Sequence, residues 1–231
     1  MKKEKKDEKK VHESQEGFVV RVFKFFDEYN KIIYGIAIGL LLIVCALLAF
    51  NKFYLEPQSE KASALMTAPM ELYMKADSLS LIQALEGNDE NEGFLSIASS
   101  FRFTKTANTA KYLAGLCYLK LGEKNEALDY LLKFKQKDEI YWYGAQAMIS
   151  DLYDDQGDIK NAIKYCKKAA QSKDPYFAPI NLFKLGQLYE REDNWAKAAE
   201  TYQIIKDKFY SEFQKTGVEK YLERAMINKD K

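Results

Sequence analysis

The sequence predicts an all-α chain: one N-terminal transmembrane helix followed by a solenoid of helical hairpins. Two observations carry this. Residues 34–50, YGIAIGLLLIVCALLAF, pass without a charge in a chain that is 30% charged. Beyond residue 106, a pattern of small, aromatic, turn and alanine positions returns three times at a spacing of about 35 residues.

The elements follow in chain order. Residues 1–17 read as a charged cytoplasmic tail. Within residues 1–31 fall nine Lys/Arg and seven Asp/Glu, leaving 26 basic and 27 acidic residues in the remainder of the chain. A near-neutral remainder argues against a nucleic-acid-binding face. Residues 18–31 place Phe18, Val22, Phe25, Phe26 and Tyr29 on one helical stripe and Arg21, Lys24, Glu28 and Lys31 on the other. This predicts an amphipathic helix lying on the inner leaflet; the alternative is a plain extension of the spanning helix.

Residues 32–50 hold 19 residues, enough at about 1.5 Å rise each to cross a hydrocarbon core of about 30 Å. The lead of 31 residues is too long for a secretory signal, and Asn51-Lys52-Phe53-Tyr54 is no cleavage site. Val44 before Cys45 is not the small residue of a lipid-attachment site. A permanent anchor is therefore expected. The basic lead, against only Lys52 and Lys61 just beyond, places the N-terminus in the cytoplasm and the C-terminal domain across the membrane. Gly35 and Gly39 form a small-xxx-small step suited to packing against another membrane helix.

Residues 51–105 read as a juxtamembrane linker and irregular helices. Pro57 can open a helix, and Pro69 is expected to kink or end one. EGNDENEG, residues 86–93, reads as a loop, with another helix after it.

Residues 106–231 carry the repeats and a C-terminal capping helix. Gly115, Ser150 and Gly186 align; so do Tyr118, Tyr153 and Tyr189, then Gly122, Gly157 and Asp193, then Ala127, Ala162 and Ala198. The small residue lets two antiparallel helices approach, the tyrosine fills the groove, and the glycine suits a left-handed helix end. This spacing resembles the tetratricopeptide repeat. The units depart from that motif: its early tryptophan is replaced by Lys111, Gln146 and Leu182, and Asp193 replaces the third turn glycine. Two aromatic clusters, Tyr141-Trp142-Tyr143 and Tyr176-Phe177, fall in the gaps between units. Thr216-x-x-Glu219 reads as a capping box opening the last helix.

The resemblance implies that first helices line the concave face. Carried over, it gives Tyr112, Leu116 and Leu119 in the first unit, Asp151 and Asp154 in the second, and Phe183, Gln187 and Glu190 in the third. Such a surface suits a peptide or partner helix; alternatively, Tyr112 and Phe183 pack against neighbouring repeats. No phosphate loop, nucleophile elbow or zinc motif is present, so no enzyme, cofactor or metal is expected. The spacing of Asp151, Asp154, Asp155 and Asp158 does not fit a calcium loop. Cys117 and Cys166 fall at packing positions and read as buried free thiols.

The whole order, from the aromatic–basic lead VFKFFDEYNK through one spanning helix and SEKASALM to a small repeat domain, resembles the bacterial YfgM family. The resemblance implies a single-pass inner-membrane protein with a periplasmic repeat domain. It further implies association with the SecYEG translocon and with PpiD, a membrane-anchored periplasmic chaperone. The competing expectation is an adaptor in another envelope assembly, such as outer-membrane protein insertion or a dedicated secretion machine.

Overall fold

The computed structural model describes Val20, Tyr29, Lys31, Ile32 and residues 34–135 and 139–229. The charged tail and nearly all of the expected amphipathic segment 18–31 lie outside the described residues. Two compact units result, Met1–Pro57 and Gln58–Lys231.

In the first unit, α1 (residues 34–50) carries isoleucine, leucine and valine side chains exposed on every face. The helix beginning at Tyr34 is long and apolar enough to cross a membrane, its apolar 18-residue stretch having a mean hydropathy of 2.4. Its last stretch, Asn51–Leu55, widens into a π-turn in which the Glu56 N–H reaches the Asn51 carbonyl. Pro57 gives the reason. It has no N–H for the carbonyl four residues back, and its ring would strike that carbonyl in an ordinary α-turn.

The second unit is built from short helices until the repeats begin. α2 (Glu56–Leu65) and α3 (Thr67–Lys75) meet at Met66. Pro69 sits in the first turn of α3, where a missing N–H costs no helical bond, so the break falls just before it. α4 (Ser78–Glu86) is capped by Asp77, whose carboxylate accepts from Ser80 N–H at 2.9 Å. The expected loop follows: Gly87 pairs with Glu92, and a Cβ on Gly93 would stand 2.2 Å from the Leu85 carbonyl oxygen. α5 (Phe94–Ser100) then packs on α6 (Lys105–Leu121).

Three hairpins follow: α6 with α7 (Lys124–Lys133), α8 (Glu139–Asp155) with α9 (Ile159–Ala169), and α10 (Phe177–Arg191) with α11 (Trp195–Lys208). Each first helix ends in the same way. Gly122, Gly157 and Asp193 take left-handed φ of 83°, 75° and 55°. The N–H after each reaches back to the repeat tyrosine's carbonyl: Glu123 to Tyr118, Asp158 to Tyr153 and Asn194 to Tyr189, all at 2.9 Å. This six-to-one closure satisfies carbonyls the helix end would otherwise orphan. In the second and third turns the same residue then starts the next helix, Asp158 capping Asn161 N–H and Asn194 capping Lys197 N–H.

The small residue of each unit meets one partner on the second helix. A Cβ on Gly115 would stand 2.8 Å from Leu131, and one on Gly186 only 2.2 Å from the Tyr202 ring. Ser150 fits because its matching partner is the smaller Cys166; its hydroxyl donates to the Ala162 carbonyl at 2.9 Å. The repeat tyrosines fill the remaining grooves, Tyr118 against Tyr130 and Tyr153 stacked on Tyr165, each at 5.5 Å. Cys117 and Cys166 are free and buried, and burial pushes both thiols up to about 12, where they are inert.

Two expectations change. α8 begins at Glu139, so Tyr141-Trp142-Tyr143 occupies its opening turns rather than a gap. Thr216 does not stand at the N-cap position of the last helix: it closes an additional helix, α12 (Tyr210–Thr216), which Gly217 ends at φ 65°. α13 (Glu219–Asn228) starts after Val218 with no side-chain cap, because the chain must turn at Gly217 to lay α13 on α11.

Gly186→Ala is expected to destabilise the protein by about 1–3 kcal/mol through overpacking. Gly186→Ala with Tyr202→Leu, which copies the roomier Leu131 partner of the first unit, should recover part of that loss; urea melts of the detergent-solubilised chain measure both. The Asp158 carboxyl is held below its ordinary value of 3.8, chiefly by the Asn161 side chain and backbone N–H. Its contribution is therefore complete above the ordinary value and lost as pH falls through the lower folded value. Asp158→Asn keeps the cap but should remove that part of the acid dependence, read as a flatter stability–pH curve below pH 4.

Candidate functional site

The repeat scaffold brings aromatic side chains from three helices to one cleft of about 690 Å³. Tyr112 comes from α6, Tyr141 and Tyr143 from the start of α8, and Tyr176, Phe177 and Ile180 from the start of α10. Tyr112 forms the inner wall: it is buried, tilted on Phe134 at 5.2 Å and edge-on to Tyr141 at 5.5 Å. Tyr176 is 68% exposed and Tyr141 54%, so the mouth is lined by solvent-exposed tyrosines. Gly144, in the second turn of α8, adds no side chain to the lining.

The polar rim comes from the loop before α10. Asp174 fixes it: its Oδ1 accepts the N–H of Tyr176 at 2.9 Å and of Phe177 at 2.7 Å, which opens α10. Ser172 Oγ accepts the Asp174 N–H at 3.2 Å, and Lys173 stands beside it. Burial raises the Tyr112 hydroxyl's pKa, with Tyr73 and Tyr141 adding to it, so the hydroxyl stays protonated at neutral pH. Among the described residues, no three His, Cys, Asp or Glu side chains come together as a metal ion would require.

The residues expected on the concave face fall into two groups. Tyr112 lines the cleft. Leu116 and Leu119 are half-buried against the first hydrophobic cluster, which runs from Ala62 to Leu152. Phe183 packs on Tyr202 and, edge-on at 4.8 Å, on Tyr221 of α13. The acids are engaged by the element one repeat further on. Asp151 pairs with Lys184, and Asp154 with Arg191. Glu190 receives Arg224 of α13 on both carboxylate oxygens, at 3.3 and 2.5 Å. Gln187 is half-buried between these groups in sequence. Among the described residues, no atom beyond the adjoining residues and the helix's own backbone lies within 4 Å of a Cβ added at Gly35 or Gly39.

Sequence reasoning noted the Tyr141 and Tyr176 clusters without joining them. Their separation of 35 residues, one repeat, was the available signal. The bases facing Asp151, Asp154 and Glu190 were missed for the same reason; each lies about one repeat downstream.

Glu190 is the most enclosed of these acids, its side chain 10% exposed against 50% for Arg224. Arg224→Ala is expected to cost about 1–3 kcal/mol, because it leaves a nearly buried carboxylate without its charge-assisted bonds. Adding Glu190→Gln should return most of that loss. A double-mutant cycle in urea unfolding checks both.

Tetratricopeptide repeat models match this chain at residues 143–174 and at 109–138 and 181–209, one stretch for each hairpin. No curated protein matches it significantly. Among solved structures, the crystal structure of MamA protein superposes with a TM-score of 0.50 at 17% identity, covering 74% of this chain and 93% of that one. At that identity the likeness is one of fold. The second unit is a tetratricopeptide-like helical solenoid.

Proposed function

We propose that this chain is a non-enzymatic, membrane-anchored adaptor whose tetratricopeptide-like domain docks another protein through the aromatic cleft. The observation that carries the reading is the pairing of an apolar, fully exposed helix with a repeat scaffold that holds exposed aromatic rings around one cleft. Exposed, clustered aromatics on a rigid support are the usual anchors of a protein interface. Stacked repeats present such a surface without rearranging.

The anchor sets the place. With the basic lead in the cytoplasm, the domain stands on the periplasmic side of a bacterial inner membrane. The resemblance to the YfgM family supports a finer reading: an accessory subunit of the SecYEG-type translocon that holds a PpiD-like chaperone or meets emerging chains. The bare helix surface at Gly35 and Gly39 supports a neighbouring membrane helix as the contact in the bilayer.

A photoreactive residue at Ile36, beside Gly35, tests this in intact membranes. The expected products are covalent adducts with a translocon or chaperone membrane helix, and the same proteins should co-purify in mild detergent. Adducts with subunits of an outer-membrane insertion or secretion machine would favour the other envelope assembly. Lipid adducts alone, with no protein co-purifying, would sink the adaptor reading.

A further inference from the structure

The cleft's own chemistry says what kind of segment it takes, on the reading above that it is a docking site. Gly144 is the first observation. Glycine inside a helix costs roughly 0.5–1 kcal/mol relative to alanine. Gly115 and Gly186 are required, because a Cβ there would stand 2.8 and 2.2 Å from a neighbour. Gly144 is not: the nearest atom to its added Cβ is Tyr112 Oη at 3.7 Å, an ordinary contact. The fold has room for a side chain, and the sequence leaves the cleft floor bare where a ligand backbone would lie.

The second observation is the hydrogen-bonding character of the lining. Its hydroxyl and ammonium groups can donate to a ligand: those of Tyr141, Tyr143 and Tyr176, which can accept as well, the Ser172 hydroxyl, whose oxygen already accepts from Asp174, and the Lys173 ammonium. Among the described lining residues the one carboxylate, Asp174, spends Oδ1 on two backbone N–H groups. A ligand helix keeps its own carbonyls bonded, so it would leave those donors unanswered. A ligand strand needs a sheet edge offering both N–H and C=O, and the helices around the cleft offer none. An extended proline-containing segment differs from both. Its carbonyls point outward, each proline lacks an N–H, and its rings lie flat on aromatic faces.

The geometry points to a proline-containing segment in the polyproline II conformation as the occupant of this cleft, its backbone crossing Gly144 and its rings resting on Tyr141 and Tyr176. A fluorescein-labelled proline-rich dodecapeptide, titrated by anisotropy against the full chain in detergent micelles, tests it. An alanine-rich helical peptide of equal length and charge serves as comparison. The proline-rich peptide should bind saturably and the helical one at least tenfold more weakly. Gly144→Leu fills the floor with a better helix former, and Tyr176→Ser removes an exposed ring; each should weaken binding at least tenfold with the circular dichroism unchanged. Unaltered binding in both variants would overturn the proposal. Tighter binding of the helical peptide, lost in the same variants, would overturn it while leaving the docking site standing. Binding of neither peptide would overturn the proposal, while the docking reading would still be decided by the crosslinking at Ile36.

Discussion

Each hairpin depends on one close approach between its two helices. The first helix must carry a residue small enough to admit a specific neighbour from the second: Gly115 for Leu131, Ser150 for Cys166, Gly186 for Tyr202. The pairs are matched in size. Where the partner shrinks to cysteine, the small position grows to serine and gains a hydrogen bond to a buried carbonyl. Once the helices are this close, the tyrosine one turn later has a groove to fill, and the left-handed residue after the helix has only one way to send the chain back. The turn, the aromatic stack and the alanine contacts all presuppose that spacing.

Stacking the hairpins places first helices side by side, and the charged groups there are spent on one another. Asp151, Asp154 and Glu190 each meet a base on the next element. The pairs at Asp151 and Asp154 add little stability singly, unlike the enclosed pair of Glu190 and Arg224, but all three fix which turn of one helix sits beside which turn of the next. The aromatic cleft lies toward the other end of the same helices, apart from that ladder.

Much of this was readable from residues alone, because a repeat states its rules three times. The small residue, tyrosine, turn and alanine positions located the hairpins, and Asp193 took the left-handed conformation its alignment with Gly122 and Gly157 implied. The charge-free run announced α1. What stayed hidden depended on contacts one repeat apart. Asp151 looks like a free concave acid until Lys184 is brought beside it, and Tyr141 and Tyr176 look like separate loop clusters until α8 and α10 align. Thr216 misled because the capping box is a local pattern, while the position of α13 is set by its packing on α11.

The α13 helix has a consequence for where the array opens. Arg224 answers Glu190 as Arg191 answers Asp154, so α13 occupies the seat of another unit's first helix. Its Tyr221 meets both Phe183 and Tyr202, rings that the last hairpin would otherwise present to water. Lifting α13 would therefore bare an aromatic face, so fraying of the third hairpin is coupled to the release of this one helix rather than to the hairpin's own turn.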